Sequence, residues 1–175
     1  MSPGIPVVFP SEEWAKKYVE LLNESEAYEE AAAHWEGSML FVIKAGEITP
    51  VDFGILFDLW HGKCRGYKFW LPGQEIEADY VFEGPEANWL LLLEGKLDPI
   101  QGLMVGKFKL TGDMAQVMRS TQAAKVLVET LQQFEFEFPR AEPRDPNAPE
   151  IRFYDSKGEE VVRIDTKANT FAWTR

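Results

Sequence analysis

"WLLLLEGKLDPIQGLMVGKFKLTGD", residues 89–113, sets four consecutive leucines before a run of Gly-containing turns. Leu90, Leu91, Leu92 and Leu93 point all round a helix rather than along one stripe, and a helix apolar on every side must be covered on every side. Either other layers of the protein bury it, or one side faces apolar material that the chain does not itself supply.

Working outward, Pro85 opens this helix and Gly95 closes it near Glu94. Pro99, behind Asp98, is placed to begin a short helical segment. Gly106 ends that segment, and "KFKLT" reads as a strand with Phe108 and Leu110 inward. Asp113, with Gln116 in the reciprocal capping position, starts a helix predicted to run unbroken to about Phe134. Its broad face is Met114, Val117, Met118, Thr121, Ala124, Val128 and Leu131, widened by Leu127 and Phe134.

Upstream, Ser11 before Glu12 and Glu13 is an N-cap signature, and 11–23 is an amphipathic helix; 25–35 continues as a second. From residue 39 the period becomes two. "MLFVIKA", "VDFGILFDLW", "GYKFWL" and "ADYVFEG" read as strands, with "HGKCRG" as a hairpin turn. Phe53, Ile55, Phe57 and Leu59 share one face of the second. Downstream, "FPRAEPRDPNAP" (138–149) carries four prolines and reads as a linker. Residues 150–175 read as a β-hairpin, with a third short strand after it.

The 175 residues, 45% hydrophobic and 27% charged, suit one domain with a sizeable core and a small appendage. No apolar run reaches the roughly eighteen residues of a membrane span. The first residues lack the order of a secretory signal, and the chain ends in WTR rather than a peroxisomal address. A single cysteine, Cys64, leaves no internal disulfide framework, so a cytoplasmic location is expected. A net charge of −11 makes nucleic acid a poor partner. All of it resides in 1–139, because seven basic and seven acidic residues balance from 140 onward. Two basic stretches, around Lys63, Arg65 and Lys68 and around Lys107, Lys109, Arg119 and Lys125, are scattered surface charge or the lips of an anion or membrane contact.

The element order, and above all Gly95-Lys96-Leu97-Asp98-Pro99 followed by Gly106-Lys107 through Gly112-Asp113, resembles the sterol carrier protein type-two family of nonspecific lipid-transfer proteins. The resemblance covers roughly residues 10–137. It implies an α+β fold: a five-stranded mixed sheet covered on one face by helices and enclosing an apolar cavity, with the C-terminal hairpin as an appendage. The expected organisation is a lipid-binding domain over 1–137, a Pro-rich linker over 138–149 and a tail over 150–175. The implied function is binding and transfer of a fatty acyl chain, sterol or similar hydrophobic ligand, with no metal, nucleotide or other cofactor.

The expected lipid-binding wall comprises Trp89, Leu92, Leu93 and Leu97 from the Leu-rich segment and its turn, and Ile100, Leu103, Met104 and Phe108 from the connection. Met114, Val117, Met118, Leu127 and Leu131 from the last helix complete it. The same residues also suit plain core; the four-leucine run and the adaptable methionines favour a ligand. Lys96 and Arg119 are the cations best placed for a headgroup. Gly95, Gly106, Gly112 and Asp113 are turn and cap residues.

Catalysis has little support. His61 and Cys64 make two ligands rather than a zinc site, and His34 has no serine or acid at an informative spacing. Asp52 and Asp58 share a strand face without forming an evident acid–base pair. A small cone-type α+β enzyme acting on a hydrophobic substrate is the first alternative. A ligand-free interaction module, dimerising through its tail, is the second. Transient membrane contact and a homodimer both fit the composition.

Overall fold

The computed structural model describes residues 4–142 and 147–175. Its centre is a sheet of β2 (Glu36–Lys44), β3 (Phe53–Trp60), β4 (Lys63–Trp70), β5 (Tyr80–Pro85) and β6 (Lys109–Thr111), in the order β4-β3-β2-β5-β6. β2, β3 and β4 form an antiparallel meander. The chain then crosses over so that β5 lies parallel to β2, and β6 returns antiparallel to β5. The architecture is the expected α+β fold with a five-stranded mixed sheet.

The β3–β4 turn is tighter than the sequence suggested. It is His61-Gly62, with φ of 48° and 78°, and Lys63, Cys64 and Arg65 already belong to β4. A two-residue hairpin with both centres at positive φ matches the twist of the strands it joins. Gly62 is required twice over, because a Cβ there would lie 2.6 Å from the Glu29 carbonyl oxygen.

Most helix starts carry a short polar side chain, as an N-cap should be. α1 (Glu12–Glu24) starts at Ser11, whose Oγ accepts from Trp14 N at 3.1 Å. α2 (Glu26–Ala31) starts at Ser25, which accepts from Tyr28 N, and it ends earlier than expected, so that Trp35 leads into β2. α3 (Glu86–Leu93) follows Pro85 directly, without such a cap. α4 (Pro99–Met104) is capped by Asp98, which accepts from Ile100 N and Gln101 N at 3.0 and 2.9 Å.

The single long helix is not formed. α5 (Met114–Arg119), capped by Asp113 through Gln116 N, stops at Ser120, and α6 (Thr121–Leu131) restarts there. Ser120 has φ −114° and ψ 29°, outside the helical well. Ser and Thr compete with helical hydrogen bonding through their own side chains, so a Ser-Thr pair gives up the helix cheaply. The break rotates the buried face: α6 buries Ala123, Val126, Leu127, Thr130 and Leu131, whereas α5 buries Val117.

Two further sheets flank the domain. β1 (Ile5–Val8) pairs parallel with β7 (Phe134–Glu137). The tail is a four-stranded meander of β8 (Arg140–Ala141), β9 (Glu150–Tyr154), β10 (Glu160–Asp165) and β11 (Thr170–Trp173). The expected hairpin is β9–β10, and β8 comes from within the stretch read as linker. Residues 143–146 of that stretch lie outside the described residues.

The tail packs onto its own chain. Phe69 of β4 meets Trp173 at 4.2 Å and Phe171 at 5.8 Å. Asn169 donates to Pro72 O, and Glu12 N donates to Arg175 O, both at 2.8 Å. The Arg175 guanidinium pairs with Glu13 and with buried Asp155. The backbone N–H of Glu159, then that of Lys157, then Arg175 hold the Asp155 carboxyl below the usual carboxylate range.

Candidate functional site

The α-helices lie against the sheet face that carries Met39, Phe41, Phe57, Leu59 and Phe82, and the fit is incomplete. A cavity of about 60 Å³ remains between β2, β3 and β5 on one side and α3 to α6 on the other. Trp89 and Leu92 of α3, Pro99, Ile100 and Leu103 of α4, Val117 of α5, and Leu127 and Leu131 of α6 line it. The sheet supplies Met39, Phe41, Leu59, Phe82 and Leu110, and Tyr18, Tyr28 and Trp35 close one end. Space of this size holds a few water-sized groups, but apolar walls give water little to bond.

The polar atoms at the rim are mostly engaged. Tyr18 Oη donates to Leu127 O at 2.8 Å, and burial raises its phenol well above its ordinary pKa. Burial likewise raises Tyr28. Trp35 Nε1 donates to Gly37 O, and Trp89 Nε1 donates to Val42 O, both at 2.9 Å. The second of these bonds ties α3 to the sheet and fixes the indole in the wall.

A second cavity, of about 50 Å³, lies on the other side of α3. Phe9, Pro10, Trp14, Ile43, Phe53, Ile55, Glu86, Leu90, Leu93 and Phe138 are among its lining residues. Tyr18, Phe41, Trp89 and Leu131 line both spaces and therefore partition them. Three of the four leucines are accounted for here, while Leu91 is half-buried and lines neither space. α3 stands between two apolar spaces, with Trp89 and Leu92 toward the first and Leu90 and Leu93 toward the second.

Of the expected wall, Trp89, Leu92, Ile100, Leu103, Val117, Leu127 and Leu131 line the first cavity, and Leu93 lines the second with Trp89 and Leu131. Leu97 is half-buried. Phe108 is buried one layer behind, stacked on Phe82 at 4.7 Å and edge-on to Trp89 at 5.2 Å. Met104, Met114 and Met118 are not brought to either cavity; they are exposed, at 72%, 44% and 39%. The break at Ser120 explains the last two, since α5 turns Val117 inward and its neighbours out.

The sheet contribution and the three N-terminal aromatics were missed. Strand alternation puts Leu59 on one face with Phe53, Ile55 and Phe57, but carries no signal that the helices cover that face.

The other candidates disperse. Lys96 pairs with Glu94, and Arg119 donates to Gln116, both at the surface. Lys109 lies 4.0 Å from Glu83. His61 contacts Glu36 at 2.7 Å in solvent, whereas Cys64 is buried and its thiol is pushed up to about 11, chiefly by desolvation. Asp52 accepts from Ala45 N, and Asp58 forms a two-pronged pair with Arg65. Among the described residues, no three His, Cys, Asp or Glu side chains converge as a metal-ligand group.

The helix break yields a paired expectation. Val117→Glu should cost several kcal/mol, because a carboxylate would enter an apolar wall. Met118→Glu should change stability by no more than about 0.5 kcal/mol, as an exposed substitution does. Thermal melts of the two variants check this, and equal damage from both would contradict the break at Ser120.

A model of the SCP-2 sterol transfer family matches residues 16–125. The chain belongs to that family. Lipid binding or transfer, in general terms, is the function class that goes with SCP-2 membership. The chain is also similar to a crystal structure of sterol carrier protein 2, with 40% identity and a TM-score of 0.64, covering 70% of this chain and 96% of that one. A conserved hypothetical protein from Thermus thermophilus, solved in solution, is 39% identical with a TM-score of 0.67, covering 76% and 94%. No curated protein matches the chain. The SCP-2 match leaves out α1 as far as Ala15, all of β1 and β7, the end of α6 and the tail.

Proposed function

We propose that this protein carries one lipid, an acyl chain or a sterol-like ring system, in the space between the sheet and α3 to α6. The observation that carries this reading is the first cavity: an unfilled apolar space walled by both layers of the fold. Well-packed interiors leave few voids larger than a water molecule, and this one adjoins a second across a thin aromatic partition. Each buried methylene contributes about 0.8 kcal/mol. A dozen of them can therefore offset the cost of association without a charged anchor.

A whole lipid needs more room than about 60 Å³, so loading requires the wall to yield. α4 and α5 are the elements suited to that, being six residues each and held at their starts by exposed aspartates. Met104, Val105, Met114 and Met118 put apolar side chains at the surface of these elements, and Lys107, Lys109 and Arg119 lie nearby in the chain. We assign this fringe to transient contact with a membrane, where apolar and basic side chains act together.

The lipid-binding unit is residues 1–137 with Phe138 added to the wall of the second cavity, and the tail from 150 acts as its brace. A homodimer would use the aromatic tail as its contact. Since Phe69 and α1 cover it, a single cytoplasmic, non-enzymatic chain per lipid is the simpler arrangement.

Titration with fluorescent acyl and sterol analogues tests the carrier reading. Saturable 1:1 binding in the micromolar range or tighter, about −8 kcal/mol, is expected. Indole emission should change on filling, because Trp89 lies in the wall. Absence of saturable binding at every chain length would overturn it.

A further inference from the structure

The lining of the second cavity includes a tryptophan whose ring N–H has no acceptor among the described residues. Trp14 is 2% exposed and lines this space, and its Nε1 is buried without a hydrogen-bond partner among the described residues. Its neighbours are rings. Tyr18 stacks on it at 5.6 Å, and Phe9 and Phe57 meet it edge-to-face at 4.7 and 6.2 Å. A ring face is a weak acceptor, so the N–H lacks the oxygen that a buried indole ordinarily finds. Trp35, Trp70 and Trp89, by contrast, each donate to a carbonyl oxygen at 2.9–3.0 Å.

The charges of the lining point to the kind of oxygen that fits. No Lys, Arg or His side chain lines either cavity among the described residues, and the one charged residue of the second is an acid, Glu86. Glu86 is occupied with the backbone, its two oxygens accepting from Ile48 N and Thr49 N at 2.9 Å each. An ionised fatty carboxylate would enter a low-dielectric space with no counter-charge and an acid in the wall. A neutral ketone, ester or ether oxygen that reached the Trp14 edge would satisfy its unpartnered donor at no such cost. Phe9, Pro10, Trp14 and Phe138 all lie outside residues 16–125, so this end of the cavity is built by parts of the chain beyond the family match.

We infer that the second cavity is a polar-end subsite that selects neutral lipids carrying an acceptor oxygen, received by Trp14 Nε1–H. This rests on the lipid-carrier reading and adds the class of ligand. The apolar body would extend past the Tyr18, Phe41, Trp89 and Leu131 partition into the first cavity.

The test compares 2-heptadecanone, methyl palmitate, heptadecane and palmitate at neutral pH, each displacing a bound fluorescent hydrocarbon from the wild-type protein and from Trp14→Phe. The ketone and ester should bind the wild type about ten-fold tighter than heptadecane, and in Trp14→Phe the ratio of their affinities to that of heptadecane should fall to about one, whatever the change in the heptadecane affinity itself. In the 15N spectrum of the wild type, the Trp14 indole proton, identified by its absence from the variant, should move downfield with ketone and stay put with heptadecane. If Trp14→Phe fails to fold, selective 15N labelling with site assignment gives the same spectral readout on the wild type. Equal affinity for ketone and alkane with an unmoved Trp14 proton would overturn the inference and leave the carrier reading standing. Tighter binding of palmitate than of its methyl ester would overturn the neutral class. Failure of all four probes to bind would overturn both the inference and the reading it rests on.

Discussion

Leu92→Ala is expected to lower the stability of the lipid-free protein by about 2–5 kcal/mol, the usual cost of truncating a fully buried leucine. Leu92 is 0% exposed and stands in the wall of the first cavity, so the lost side chain enlarges an existing void that the surroundings have already failed to fill. Its backbone is held independently, because Gln132 Nε2 donates to Leu92 O at 3.0 Å; the fold should survive. Lipid should then return part of the loss. Saturation at one hundred times Kd stabilises by about 2.7 kcal/mol, and the roomier variant should gain at least as much as the wild type. Denaturant titrations of both proteins with and without an acyl analogue measure this. A lipid that stabilises the wild type but not Leu92→Ala would mean that it binds away from this wall.

Glu86→Ala should be comparably damaging for a different reason. The Glu86 carboxylate is buried and accepts from the Ile48 and Thr49 amides, pinning the β2–β3 connection over the start of α3. Alanine would strand those amides, at about 1–3 kcal/mol for each one left buried and unsatisfied. Glu86→Gln keeps one acceptor oxygen and should lose less. Thermal melts of the two variants decide the matter: if both behave as the wild type, water reaches the amides and the loop is not pinned from α3.

The segment that decided the fold was legible because its punctuation is local. Asp98 before Pro99 and Asp113 before Met114 cap helices whatever the tertiary context, and alternation announced β3. The features that escaped are tertiary. Helical periodicity runs smoothly through Ser120, and only packing reveals that α5 and α6 part there. Methionine suits a surface fringe as well as a core, so Met104, Met114 and Met118 carried no signal of which they were. Glu86 occupies a position where first-turn acids are ordinary, and nothing local marks partners that lie 37 and 38 residues away in the chain. Trp14 stands on the buried side of the amphipathic helix α1, but an unpartnered indole N–H is a property of its surroundings.

The cavity wall draws on side chains that meet only when the sheet and helices close. Sequence could name the helical half because one stretch carries most of it. The sheet half was spread over β2, β3 and β5, and required the topology.

The most direct measurement of the central claim is native mass spectrometry of the purified protein, before and after organic extraction and again after adding back the extract. The account predicts a single lipid mass per chain that disappears on extraction and returns on add-back. A protein that is dry at the outset and takes up no lipid from the extract would contradict it.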